Sequence, residues 1–177
     1  MAKWNIDPDH SVAAFKVRHM MVAHVRGQFN KLSGSAQFDP EDPSSFSLEV
    51  AVAVTGLYTG IAQRDEHLAS PDFFDVGTFP AIIFKSSNFA AAADGGRLAG
   101  DLTIHGVTKP VTLEVSFSGP VISPEDFGGE TTLGITATTA VNREEYGMAW
   151  NVPMDDGGVM VGKDIWIDLD IEVDLEE

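Results

Sequence analysis

Cysteine is absent from the 177-residue chain, which excludes disulfides, thiolate nucleophiles and cysteine-ligated metal centres. Basic residues are few: 11 Lys and Arg stand against 27 Asp and Glu, giving a formal net charge of -16. A surface this acidic repels nucleic-acid phosphates and anionic lipid head groups, so we expect neither a nucleic-acid partner nor polybasic docking on a membrane. No apolar run is long enough to span a bilayer, and the N-terminal segment has no apolar leader core. We therefore expect a single cytoplasmic domain over residues 1–177, without stable membrane insertion.

Apolar side chains recur with a period of two along most of the chain. Residues 46–54 and 165–173 alternate between apolar and polar types, as strands with one buried face do. Short turns rich in Gly, Pro and Asp separate about eight such segments, which predicts an all-β antiparallel sandwich or barrel. Only residues 64–70 favour a helix, and residues 71–74 favour a second short turn.

Several motifs resemble those of the YceI-like family. The most specific are Arg-Asp-Glu-His-Leu at 64–68 and Leu-Thr-Ile-His-Gly-Val-Thr at 102–108, and they occur in the family's order with residues 9–11, 15–19, 27–29, 70–75, 79–80 and 142–148. The resemblance implies a lipocalin-like antiparallel β-barrel of about eight strands with one or two short flanking helices. It also implies an apolar interior that binds a polyisoprenoid or isoprenoid-tailed molecule.

The alternation places one set of side chains inside such a barrel. Met148 and Trp150 join this set because they belong to a long connection, residues 146–162, that is rich in Met and aromatics and acts as a lid, a plug or a dimer contact. His19 shares the inward parity of Phe15 and Val17, either as a polar ligand contact or as a satisfied core histidine. The predicted ligand-binding residues are Phe15, Val17, His19, Val50, Val52, Phe84, Ile104, Leu113, Val115, Ile135, Met148, Trp150, Ile167 and Leu169.

These observations favour a non-enzymatic protein that carries or sequesters an isoprenoid lipid, of polyprenyl or isoprenoid-quinone type, without cofactor or metal. A tail of thirty to forty carbons at roughly 0.3 kcal/mol per heavy atom contributes about 10 kcal/mol, so no charged anchor is needed. Two alternatives stay open. One is an enzyme using His10, His19 and Asp9 or Arg64 at the barrel mouth; the other is a filled barrel acting as an interaction module, such as a homodimer.

Charge patterning bears on how the barrel closes. Lys16 and Arg18 alternate with inward residues, as do Asp168, Asp170 and Glu172 near the C-terminus. Pairing the first and last strands antiparallel sets the basic pair against the acidic row. We expect these opposite charges to favour that pairing.

Overall fold

The computed structural model describes residues 2–176 and is built almost entirely of strands. The strands are β1 (Ala2–Ile6), β2 (Val12–His19), β3 (Ala23–Phe29), β4 (Leu32–Phe38), β5 (Ser47–Ala53), β6 (Leu57–Tyr58), β7 (Ala81–Ala92), β8 (Gly95–Ile104), β9 (Val107–Ile122), β10 (Thr131–Asn142) and β11 (Val161–Leu175). One α-helix, α1 (Ala62–Ala69), lies between β6 and β7, where the sequence predicts it. Short 3-10 turns occupy residues 43–45, 54–56, 125–127 and 143–146.

The strands close into one antiparallel barrel. The hydrogen-bonded order is β1-β4-β5-β7-β8-β9-β10-β11, and β11 pairs back with β1. Both β1 and β2 lie along β11, with Trp4 opposite Leu175 and Phe15 opposite Ile167, so together they form one interrupted barrel strand. In the same way, β3 and β4 follow one another along a second interrupted barrel strand, and β5 and β6 along a third. The predicted barrel of about eight strands is confirmed.

Four phenylalanines fill one half of the barrel interior. Phe38, Phe46, Phe89 and Phe117 form this phenylalanine cluster, in which the Phe117 ring centre lies 4.8 Å from those of both Phe38 and Phe46. Edge-to-face and offset contacts of this kind stabilise an aromatic core beyond simple burial. Because the cluster occupies the end of the barrel where β4, β7 and β9 approach their turns, no open bore formed by residues 2–176 runs the full length of the interior.

The pairing of β2 with β11 confirms the expected closure, but the expected charge pairing is wrong. Lys16 lies opposite Trp166, with its Nζ atom 5.7 Å from the ring centre, and Asp168 lies opposite Ala14. An irregularity between Val161 and Ile165 shifts the register. Within residues 2–176, neither Lys16 nor Arg18 forms an ion pair.

Helix α1 is fixed to the segment before it through Thr59. Arg64 donates from Nε to the Thr59 hydroxyl at 2.8 Å and from its terminal nitrogen to the Thr59 carbonyl at 2.7 Å. Asp65 accepts a hydrogen bond from the Thr59 amide at 3.0 Å and another from its hydroxyl. These contacts hold α1 across the end of the barrel opposite the phenylalanine cluster. The described part of the chain, residues 2–176, contains no helix with the length and apolar character of a membrane span.

Candidate functional site

An apolar cavity of about 130 Å³ lies in the half of the barrel that the phenylalanine cluster leaves open. Its wall combines inward side chains of β2, β5, β7, β8, β9, β10 and β11. The lining is apolar except for Thr139 and Arg143. A site with this lining excludes water from whatever occupies it and recognises hydrocarbon by contact area.

Helix α1 and the residues after β10 cover the cavity. Leu68 of α1 and Phe73 and Phe74 of the following turn contribute apolar side chains to the lining, and Met148 closes the remaining side. The ring centre of Phe74 lies 5.5 Å from that of Phe29, in an edge-to-face contact. We call residues 147–160 the cap loop. It is the structural counterpart of the connection predicted to act as lid, plug or dimer contact.

Arg143 is the one charged side chain that lines the cavity, and it is almost fully buried. Its Nε donates to the Gly162 carbonyl at 2.9 Å, and its terminal nitrogens donate to the carbonyls of Met148, Trp150 (3.0 Å) and Val161 (3.2 Å). Within residues 2–176 no carboxylate pairs with it, so backbone dipoles balance its charge. Burial lowers the pKa of Arg143 from its usual value, and the guanidinium stays protonated.

The arginine therefore orders the cap loop. Two of its carbonyl acceptors, Met148 and Trp150, lie near the start of the cap loop, and the other two, Val161 and Gly162, follow its end. A guanidinium presents its N–H groups in a rigid planar fork, which suits this task better than a single ammonium does. Asn151 adds two further bonds to Val161, at 2.7 Å and 3.0 Å.

Ten of the fourteen predicted residues line the cavity. Nine of them are inward-facing strand residues and Met148 belongs to the cap loop: Phe15, Val17, Val50, Val52, Phe84, Ile104, Leu113, Met148, Ile167 and Leu169. The geometry thus brings them together around one space.

The other four predicted residues lie outside the lining. Val115 and Ile135 face inward but are buried in the packed part of the core, below the open half of the barrel. His19 pairs with Val161 at the rim, where β2 ends and the chain turns outward. Trp150 packs on the outer side of the cover, with its ring centre 4.7 Å from His67 and 5.4 Å from Phe73.

Sequence reasoning missed several lining residues. Some belong to strands whose inward faces the alternation predicts but lie outside the predicted binding set: Ala13, Phe29, Ile82, Leu102, Thr139, Val141, Val161 and Ile165. Arg143 continues the inward parity of Thr139 and Val141 by one more step, so the pattern contained the signal for it. Leu68, Phe73 and Phe74 reach the cavity only through the docking of α1, which periodicity does not encode.

His10 precedes the start of β2 and His19 ends it, so these two histidines do not share a site. His10 contacts Asp7 at 2.7 Å and Glu172 at 3.8 Å, on the exposed edge where β1 gives way to β2. The hydrogen bond and charge of Asp7 raise the pKa of His10, and the same hydrogen bond lowers the pKa of Asp7. His19 lies at the rim and Arg64 binds Thr59. The barrel-mouth catalytic set considered from the sequence is therefore wrong as an assembly.

The size of the cavity constrains its occupant. A cavity of about 150 Å³ holds a benzene-sized molecule, and the present one is similar at about 130 Å³. An isoprenoid tail of thirty or more carbons is several times larger. A molecule of that size needs more room than the cavity provides with Leu68, Phe73, Phe74 and Met148 in these positions.

Known sequences resemble this chain over nearly its whole length. A family model described as the YceI-like domain matches residues 4–173. UPF0312 proteins of Staphylococcus aureus are similar across their full length. The protein of strain USA300 is 33% identical over 177 residues, which cover 100% of both chains, and that of strain N315 is 32% identical over the same span.

Solved structures share the fold at lower sequence identity. BcnA of Burkholderia cenocepacia superposes with a TM-score of 0.79 and 22% identity, covering 94% of this chain and 98% of that one. A YCEI protein of Campylobacter jejuni gives 0.76 and 24%, with 90% of each chain covered. A polyisoprenoid binding domain from Saccharophagus degradans gives 0.72 and 12%, with 99% and 100% covered. These likenesses establish the barrel fold.

Proposed function

The chain belongs to the YceI-like family, and from that premise we propose that it binds an isoprenoid lipid, of polyprenyl or isoprenoid-quinone type, in its barrel cavity. The binding is non-enzymatic and serves to carry or sequester the lipid. The family match and the Saccharophagus neighbour, which is named for polyisoprenoid binding, support this at the level of lipid binding.

The observation that carries the proposal is the chemistry of the cavity wall. Its lining is hydrocarbon apart from Thr139 and Arg143. The Thr139 hydroxyl donates to the Thr112 carbonyl at 3.0 Å, and Arg143 is committed to backbone carbonyls. Neither group is placed to activate a nucleophile or to transfer a proton, so the wall favours retention of an apolar molecule over reaction with it.

Expansion of the cavity is part of the proposal. The phenylalanine cluster fixes one end, so a long tail gains room only at the covered end. Met148, Phe73 and Phe74 are unbranched or planar side chains that repack against a flexible hydrocarbon. We expect the tail to lie along β2 and β11, where Phe15 and Ile167 face each other across the pairing.

Native mass spectrometry of the purified full-length chain tests the proposal. The expected result is a copurified isoprenoid that organic extraction removes and that a prenyl lipid added afterwards replaces. An extract without prenyl lipid, together with failure of the stripped protein to take up an added polyprenol or quinone, contradicts it.

A matched pair of variants on β7 locates the binding site. Ile82 lines the cavity, whereas the adjacent Ile83 points outward and is exposed. Replacing Ile82 with Trp fills the cavity, so Ile82→Trp should lose prenyl-lipid binding. Ile83→Trp adds the same bulk on the outer face and should retain it. Equal binding by both variants contradicts the cavity as the site.

The cytoplasmic location, the homodimer and the absence of enzymatic activity remain predictions, and each has its own experiment. Cell fractionation tests the cytoplasmic location. Light scattering at increasing protein concentration tests the homodimer. Incubation with the copurified lipid, followed by mass analysis of that lipid, tests the absence of enzymatic activity.

A further inference from the structure

The two ends of the barrel both expose apolar side chains, but they differ in the charges around them. At the end that carries the cavity cover, Met20, Met21 and Val22 form the β2–β3 turn and are 41%, 53% and 79% exposed. At the opposite end, Ile122 and Phe127 are 74% and 80% exposed. Acidic residues 125, 126 and 130 flank the latter pair, whereas basic residues flank the β2–β3 turn.

The basic side chains belong to a stretch without any acidic residue. Residues 10–38 contain Lys16, Arg18, Arg26 and Lys31 but no Asp or Glu, in a chain of net charge -16. Lys16 lies directly opposite Arg26 in the β2–β3 pairing, and Arg18 lies opposite His24. Like charges directly across a strand pair are destabilising.

The neighbours of these cations are the Trp166 ring, over which Lys16 lies, and Asp168, which lines the same surface groove as Lys16 and Arg26. Across residues 2–176, Lys16, Arg18 and Arg26 form no ion pair with a carboxylate. Desolvation, followed by the charges of Arg18, Lys16 and Arg26, lowers the pKa of His24. All three cations therefore act on the same small area of the outer face. We call Lys16, Arg18 and Arg26 the basic face.

The β2–β3 turn lies next to the cavity cover. The Met20 amide donates to the Met160 carbonyl of the cap loop at 2.8 Å. His19 pairs with Val161, and both Val161 and Val17 line the cavity. Met20 and Met21 adopt left-handed backbone conformations, with φ of 50° and 61°, which are uncommon for residues other than Gly and Asn. The tight turn projects three consecutive apolar side chains away from the barrel.

We infer that the β2–β3 turn and the basic face dock the protein on an anionic phospholipid membrane. Met20, Met21 and Val22 enter the interfacial region, while Lys16, Arg18 and Arg26 face lipid phosphates. This contact brings the covered end of the cavity to the bilayer, where an apolar ligand is exchanged. The docking surface goes beyond the proposed lipid binding and has its own test.

The net charge of -16 does not oppose this contact as strongly as its size suggests. Charges more than about 8 Å from the membrane are largely screened at physiological ionic strength. Asp168 borders the basic face, in the same surface groove as Lys16 and Arg26. The acidic groups beside the apolar turn are those of the cap loop, where Asp155 and Asp156 lie at the tip of a short hairpin. The base of that hairpin joins Met160, which contacts Met20. Removing these two charges should therefore strengthen docking.

Co-sedimentation of the full-length chain with vesicles tests the inference. We expect binding to vesicles of phosphatidylcholine with phosphatidylglycerol, weak binding to phosphatidylcholine alone, and loss of binding as salt is added. Met21→Ser with Val22→Ser should weaken binding at least about tenfold. Arg18→Gln and Arg26→Gln should each weaken it about fivefold. Asp155→Asn with Asp156→Asn should strengthen it.

Matched controls separate docking from the other roles. Ile122→Ser with Phe127→Ser removes apolar surface at the acidic end and should leave vesicle binding unchanged. Uptake of a soluble prenyl probe should stay intact in the turn variants, which shows that they fold and separates docking from cavity binding. If the wild-type chain ignores anionic vesicles, or if turn and control variants behave alike, the inference is wrong. Self-association lost in the turn variants, without vesicle binding, would assign the surface to a second copy instead.

Discussion

The guanidinium carbon of Arg143 lies 5.9 Å from the centre of the Phe73 ring. This contact joins the two pieces of the cavity cover, because Arg143 orders the cap loop and Phe73 belongs to the turn after α1. A cation above an aromatic face is attracted by the ring quadrupole, more strongly when both are desolvated. The cover is thus one connected unit.

Loss of Arg143 should destabilise the whole fold. Arg143→Met keeps the length of the side chain but removes the guanidinium donor from four backbone carbonyls, of which Val161 keeps the Asn151 amide. We expect a loss of about 3 kcal/mol in the free energy of unfolding, measured with denaturant. Arg97→Met is the matched control, since Arg97 is exposed and pairs only with Glu114. It should change the stability by less than about 1 kcal/mol, and similar losses in both variants would contradict this role.

Met148 and Trp150 should differ in their effects on ligand binding. Met148 lines the cavity, whereas Trp150 packs on the outside of the cover against Phe73 and His67. Met148→Ala should weaken prenyl-lipid affinity directly. Trp150→Ala should mainly lower stability, by about 2 kcal/mol, because it removes half-buried aromatic contacts. Titration with a prenyl lipid and thermal melting separate the two effects, and a larger affinity loss for the Trp150 variant would refute the assignment.

Gly27 sets the position of Phe15 at the cavity wall. A Cβ atom at residue 27 would lie 2.5 Å from the Phe15 ring and 2.8 Å from Thr59. Gly27→Ala should push the ring into the cavity and so reduce lipid uptake. It should also lower the free energy of unfolding by about 1–3 kcal/mol. A Cβ at Gly77 meets nothing within 4 Å, so Gly77→Ala should be neutral or slightly stabilising. Unfolding and uptake measurements on both variants check this difference.

The Asp7–His10 pair should make stability depend on pH within a defined window. The pKa of His10 is raised, so its contribution is complete below about 6.5 and fades as pH rises through the raised value. The pKa of Asp7 is lowered, so its contribution is complete above about 4 and fades in stronger acid. The stability difference between wild type and His10→Gln should therefore be largest near about pH 5 and should shrink as the pH rises through the raised pKa of His10. A difference that stays constant across this range would contradict the pair's role.

The wall of the cavity was predictable from the sequence because side-chain period alone decides which face of a strand is buried. Phe15, Val17, Ile167 and Leu169 illustrate this, since each lines the cavity as expected. How far along the barrel the open space extends depends on where large side chains meet across it. Phe46 and Phe117 are far apart in the chain, and their contact places Val115 and Ile135 in packed core.

Long-range docking and local irregularity account for the remaining differences. Phe73 reaches the cavity only because Arg64 and Asp65 fix α1 to Thr59. The irregularity between Val161 and Ile165 places Lys16 opposite Trp166 instead of opposite an acidic residue. Neither effect leaves a periodic signal in the sequence.

The position of β11 constrains the order in which the barrel is completed during synthesis. β11 bridges β10, β2 and β1, and its pairs include Asp170 with Val12 and Trp4 with Leu175. On the ribosome the first two strands are made long before this partner emerges, so their outer edges stay unpaired for most of translation. Contacts so distant in sequence form slowly. Open strand edges also invite pairing between chains. The nascent chain is therefore most vulnerable to aggregation just before β11 leaves the exit tunnel.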